Sequence, residues 1–136
     1  MRLKAKKPLI ISMGGVAASG GYYIASAGDT IFAEPTTITG SIGVFSGHFH
    51  FEKLYELFGI NVEHTSIGNH AGMYTKTQAW TPSEREKMEE MVEEIYLLFK
   101  RRVSEGRDLS LEDVEKVAQG RAVSYTHLTL PTICSV

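Results

Sequence analysis

Ser19 sits in the stretch Ser12–Tyr23, SMGGVAASGGYY, which holds four glycines, two alanines and two serines between an apolar run and two tyrosines. A segment this poor in side chain brings backbone close to something. It can cradle a phosphate, make a tight turn, or mount a nucleophile. A phosphate-binding loop needs Gly-x-x-x-x-Gly-Lys-Ser/Thr; Gly15 and Gly20 have that gap, but Gly21 and Tyr22 follow where the lysine and hydroxyl belong. Gly14, Gly15, Gly20 and Gly21 are also misspaced for the dinucleotide pattern G-x-G-x-x-G. The nucleophile-elbow pattern G-x-S-x-G has Ala17 at its first glycine, although Gly21 matches the last.

What remains is a serine between a strand and a helix start. Backbone N–H groups of a first helical turn, together with the helix dipole, stabilise negative charge there. An alkoxide or the oxyanion of a tetrahedral intermediate is such a charge. The same position also suits a serine that merely caps the helix, and on local pattern both readings stay open. Other chemistry-bearing residues have plainer explanations. His48 and His50 alternate on one face without a third ligand, so no metal is expected. Asp29 and Glu34 read as turn and edge charges, and Met88 and Met91 as core or an oligomer contact. The single cysteine, Cys134, has no internal disulfide partner. No cofactor is expected.

The elements around Ser19 follow from hydrophobic pattern. Pro8–Met13 is a short apolar run that predicts a buried parallel strand, and Gly20–Gly28 a short helix. Thr30–Glu34 predicts a second strand, and Thr37–Gly47 a strand with a bend or bulge. Phe51–Gly59 predicts a helix with Phe51, Leu54, Tyr55 and Phe58 on its apolar face and Gly59 as its C-cap. Ile60–Ile67 predicts a strand, and Gly68–Ala79 a loop. Thr81 caps the longest helix, with Pro82 in its first turn and Glu84 completing a capping box. Met88, Met91, Val92, Ile95, Phe99 and Val103 form its apolar stripe. Ser110 to Asp113 opens a last helix with Leu111, Val114, Val117 and Ala118 inward, ended by Gly120. Strands alternating with helices predict an α/β fold with a largely parallel sheet flanked by helices. With 136 residues, 43% hydrophobic and 22% charged, the chain suffices for one globular domain. Its net charge of −2 gives no reason to expect nucleic acid. No apolar run approaches the roughly 18 residues of a membrane span.

The stretch SMGGVAASGGYYIASAGDTIFAEPTTITGSIGVF strongly resembles the signal peptide peptidase A family, also called protease IV: serine proteases of ClpP/crotonase-like fold. The resemblance runs from Lys7 to Arg121, and AASGGYYIA and TGSIGV are its most specific pieces. It implies that Ser19 is the nucleophile and that the N–H of Gly20 contributes to the oxyanion hole. It implies that Ser41 hydrogen-bonds the lysine of a Ser–Lys dyad. A second oxyanion element, a glycine-rich turn on an earlier strand, is expected outside this chain. In single-domain members the lysine ends a Gly-x-x-Lys motif; here Gly68-Asn69-His70-Ala71 puts Ala71 in its place. Three explanations compete. The chain resembles the C-terminal, serine-bearing repeat of a tandem long form, with the lysine lent by another repeat or domain. Alternatively Lys76 or His70 substitutes, or the domain is a non-catalytic binding or assembly module.

Both ends read as cut. MRLKAKKP resembles the end of a basic helix, so residues 1–122 are expected to be a protease-like domain lacking its N-terminal part. Residues 123–136 resemble the translation of a transposase adapter and are expected to be a non-native read-through tail. The resemblance further implies an endopeptidase acting on signal-peptide remnants or other apolar segments at the cytoplasmic membrane, with its catalytic domain on the outer face. It implies a ring-shaped homo-oligomer, and an isolated fragment without activity. A tandem or subunit interface would account for the aromatics between Phe45 and Phe58, as would a simple core.

Overall fold

The computed structural model describes residues 4–124. In chain order they form β1 (Ile10–Ser12), β2 (Val16–Ala18), α1 (Gly20–Ala25), β3 (Thr30–Phe32), β4 (Ile38–Gly40), α2 (Glu52–Leu57), α3 (Pro82–Arg107), α4 (Leu111–Val117) and β5 (Ala122–Ser124). They fall into two compact units: residues up to Val44 together with those from Glu94 on, and Phe45–Glu93.

The first unit is a mixture of helices and short strands. Helices and parallel pairs are present as expected, but the sheet is not one largely parallel layer. β1 pairs parallel with β3, while β2 pairs parallel with β4 and β4 antiparallel with β5. The break lies at Met13–Gly15, where two glycines separate β1 from β2. The apolar run Pro8–Met13, expected to be buried, is exposed or half-buried apart from Met13, because β1 has β3 as its one strand partner among the described residues; it feeds one sheet, and the small-residue stretch after it feeds another. Residues of Thr37–Gly47 beyond Gly40 carry no strand.

Two buried threonines fix the register of the second sheet. Thr37 Oγ1 donates to the Gly14 carbonyl at 2.9 Å, and Thr39 Oγ1 to the Ala17 carbonyl at 3.0 Å. These bonds satisfy hydroxyls that would otherwise be costly to bury. The core joins Met13, Tyr22, Ala25, Ile31 and Ile42 to Phe99 and Val103 of α3 and to Val114 and Ala118 at α4. The Tyr23 and Phe99 rings meet edge to face, centroids 5.2 Å apart. Gly106 lets α3 approach the chain closely, since a Cβ there would run into the Ser26 carbonyl. Of the expected stripe, Phe99 and Val103 are buried here and Ile95 is exposed. In α4, Val114 and Ala118 point inward but Leu111 does not. Ser110 caps α4 as expected, its hydroxyl accepting from Asp113 N at 3.0 Å. β5 includes Val123 and Ser124, the first residues of the segment set aside as a tail; the remainder of that segment lies outside the described residues.

In the second unit the capping box forms as the sequence predicts. Thr81 Oγ1 accepts from Glu84 N at 3.2 Å, and Glu84 Oε2 accepts from Thr81 N and Oγ1, each at 2.9 Å. Met73 and Met88 are buried, and Trp80 Nε1 donates to the Met73 carbonyl at 2.6 Å. The apolar face of α2 is not covered: Phe51, Leu54 and Phe58 are exposed, and α2 buries no residue. Gly59, with φ 65°, ends α2 as expected. Ile60–Ile67 is not a strand. Its alternating pattern suits one, but a strand exists only when paired, and no neighbouring backbone takes it up among the described residues.

Candidate active site

Ser19 stands between the end of β2 and the start of α1, with φ 52° and ψ −118°. L-residues other than glycine rarely adopt that combination, and a residue held there costs about 1–3 kcal/mol. The hydroxyl makes no capping bond to α1. The geometry thus has the strain of a nucleophile turn without the bond that a helix cap would supply. Ser19 is exposed, as is Gly20, and a Cβ on Gly20 would meet nothing within 4 Å. Space beside the first amides of α1 is open.

The β2–β4 pairing brings the serines together. Ala18 lies opposite Gly40, so Ser19 and Ser41 follow at the next position of each strand, both at carboxyl ends. Carboxyl ends of neighbouring parallel strands are where open α/β sheets place ligands. Ser19 N donates to the Gly40 carbonyl at 2.9 Å. Ser41 is half-buried and also left-handed, with φ 50°, following Gly40 at φ 72°. Two adjacent non-glycine residues at strand ends therefore both carry positive φ.

The segment Gln119–Arg121, which sequence reasoning took only as a helix stop, completes the surroundings. Ser41 N donates to the Arg121 carbonyl at 2.7 Å, and Gly120 N to the Ile42 carbonyl at 2.9 Å. Gly43 lies so close that a Cβ there would fall 2.7 Å from Gly120 Cα. A glycine in TGSIGV and another just past α4 were the available signal.

The described lysines of this unit are Lys4, Lys6, Lys7, Lys100 and Lys116; Lys6 and Lys7 are exposed and precede β1. Lys4, Lys100 and Lys116 are each held by a carboxylate: Asp29 at 3.1 Å, Glu115 at 2.6 Å and Asp113 at 2.9 Å. Burial pushes the Tyr22 phenol up, partly opposed by the Arg107 guanidinium, so it stays neutral and is no base. Asp29 is a turn charge as expected: it accepts from Leu9 N at 2.7 Å, which with Lys4 holds its carboxyl below the usual range.

His70, Ala71 and Lys76 belong to the second unit. Ala71 and Lys76 are exposed, and His70 Nε2 pairs with Ser83 Oγ at 2.9 Å. His48 stacks on Trp80, centroids 4.8 Å apart, and its Nε2 donates to the Gln78 carbonyl at 2.9 Å. No group of His, Cys, Asp or Glu suited to a metal ion occurs among the described residues.

The family model for peptidase family S49 matches residues 1–127. The chain is 42% identical over 120 residues to a chloroplastic serine protease SPPA of Arabidopsis thaliana, covering 88% of this chain and 18% of that protein. It is 40% identical over 121 residues to Protease 4 of Haemophilus influenzae, covering 87% and 19%. Protease 4 of Salmonella typhi is 36% identical over 116 residues, covering 85% and 19%. The chain thus spans less than a fifth of the length of these relatives. With its serine turn lying inside the matched region, this chain belongs to peptidase family S49, the signal peptide peptidase A family.

Proposed function

We propose that this chain carries the serine half of a Ser–Lys endopeptidase, with Ser19 as nucleophile. The observation that carries this reading is the Ser19 backbone: strained, exposed, not capping, and locked beside Ser41 at the carboxyl ends of β2 and β4. In the reaction, Ser19 Oγ attacks the scissile carbonyl and its proton passes to a neutral lysine amine. The Gly20 N–H supports the oxyanion. Collapse of the intermediate expels the amine product, which takes the proton from the lysine. Water then attacks the acyl-serine, with the lysine again as base, and releases the second product. Ser41 hydroxyl orients the lysine.

The lysine comes from another repeat or domain. Ala71 at the family's lysine position supports this, as do the carboxylates that hold Lys4, Lys100 and Lys116, and the isolated chain is then inactive. The substrate is an extended apolar peptide such as a signal-peptide remnant, cleaved at the outer face of the cytoplasmic membrane. No helix among the described residues is long and apolar enough to cross a membrane. Homo-oligomerisation is supported by Phe45, Phe49 and Phe58, 95%, 80% and 70% exposed. A second reading, a non-catalytic assembly module, rests on the same Ala71.

Covalent labelling by a fluorophosphonate decides between them. In the longer protein that supplies the lysine, labelling is expected at Ser19 and lost in Ser19→Ala and on removal of that lysine. An intact, folded protein that takes no label would leave the assembly reading.

A further inference from the structure

We propose that Tyr96 is a positioning residue for the serine pair, acting through the Gln119–Arg121 reversal. Its catalytic consequence rests on Ser19 being the nucleophile. Tyr96 lies on α3, and its phenol acts on the segment that holds the serines. Gln119 and Gly120 are consecutive left-handed residues, φ 63° and 73°, and for glutamine that conformation is strained.

The Tyr96 hydroxyl meets this strained point. It accepts from Gln119 N at 3.3 Å and donates to the Glu115 carboxylate, whose oxygens lie at 3.1 and 3.2 Å. Gln119 Nε2 also reaches Glu115 at 3.4 Å. Lys100 holds the same carboxylate at 2.6 Å while its ammonium lies 4.4 Å from the centre of the Tyr96 ring. The lysine bond, the largest cause, and the Tyr96 hydroxyl keep the Glu115 carboxyl below its usual range, so it remains an acceptor at neutral pH.

Beyond Gln119 the bonds continue without a gap. Gly120 N is bound to Ile42 O, Arg121 O to Ser41 N, and Gly40 O to Ser19 N. Gly43 against Gly120 leaves no room for the reversal to shift inward. A change at the phenol therefore reaches the backbone that sets Ser41 and, through Gly40, Ser19. Every residue of this path belongs to the first unit.

Tyr96→Phe keeps the ring and removes only the hydroxyl. In the 136-residue chain, hydrogen exchange at the Gly120 and Ser41 amides is expected to quicken about 3- to 10-fold, the equivalent of one ordinary hydrogen bond. Exchange at the Asp29 and Tyr55 amides, bonded to the Leu9 and Phe51 carbonyls, should stay within about twofold, since these open locally with the Tyr96 bond intact. In the longer, lysine-bearing protein, fluorophosphonate labelling at Ser19 should slow by a similar factor, with Tm within about 3 °C of the parent. Unchanged exchange at Gly120 and Ser41 overturns the proposal. So does equal acceleration at Asp29 and Tyr55, which marks a loosening of the whole chain. Faster local exchange with unchanged labelling, where labelling needs Ser19, overturns it too. If Ser19→Ala is labelled as well as the parent, the nucleophile reading fails, and the exchange data still decide whether Tyr96 anchors the reversal.

Discussion

Ser19→Gly is expected to stabilise this chain while deleting the hydroxyl that the proposed chemistry needs. At φ 52° and ψ −118° the serine Cβ is strained, and its side chain returns no cap bond to α1. Relief of a disfavoured backbone conformation is worth about 1–3 kcal/mol. Against it stands the extra freedom glycine brings to the unfolded chain, about 0.5–1 kcal/mol. The net gain is roughly 1 kcal/mol, or about 3–5 °C in Tm for a chain of this size. Ser19→Ala keeps the Cβ and loses no cap, so its Tm should stay within about 2 °C of the parent. A capping serine behaves otherwise: alanine costs about 1 kcal/mol and glycine a few tenths, and neither stabilises. Thermal unfolding of the three chains by far-UV circular dichroism separates these cases. A fall of more than about 3 °C for Ser19→Ala, or no rise for Ser19→Gly, would refute the assignment of strain to this turn.

Three further outcomes follow from the packing. Thr81→Ala removes the acceptor for Glu84 N at the head of α3 and should cost about 1 kcal/mol, seen as a lower urea midpoint with unchanged slope. Hydrogen bonds from Thr81 hold the Glu84 carboxyl below its ordinary value of 4.5, so its contribution is complete above that pH and lost as pH falls below it. Glu84→Gln should therefore lower Tm at neutral pH and flatten its decline on the acid side of 4.5, whereas an unchanged acid limb would show that the box contributes nothing. Gly106→Ala would gain about 1 kcal/mol of helix propensity, but its Cβ runs into the Ser26 carbonyl; a net loss of about 1–3 kcal/mol is expected in the same urea titration, and a gain would show that the helix can withdraw.

The parts legible in the sequence are those governed by local chemistry. The Thr81–Glu84 box, the Ser110 cap and the Gly59 stop depend on residues within a turn of one another, and all three form. Features that depend on a partner were read less well. β2 was hidden because Val16–Ala18 is small and lacks alternation; what makes it a strand is the parallel ladder with β4, where Thr39 Oγ1 also bonds the Ala17 carbonyl. Conversely, Ile60–Ile67 has the alternation and no ladder, and the α2 aromatics have the spacing and no cover. For the site, local pattern named Ser19 and left cap and nucleophile open, while the roles of Gly20 and Ser41 came from the family resemblance. The backbone angle at Ser19 bears on that choice, and no residue type encodes it. The part Gln119–Arg121 plays was not read because main-chain atoms carry it, and its one signal was the pair of glycines, Gly43 and Gly120, that pack together.

The pairing of β2 with β4 has a consequence for how this molecule comes into being. Parallel strands cannot be joined by a tight turn, and here α1 and β3 intervene between them. The β2–β4 register closes only after that whole crossover has folded back, a non-local event that local helix formation precedes. Until then Ser19 has neither its Gly40 bond nor its neighbour Ser41. Completion of the fold and assembly of the serine pair are one step, so a nascent or partly folded chain presents Ser19 as an ordinary surface hydroxyl.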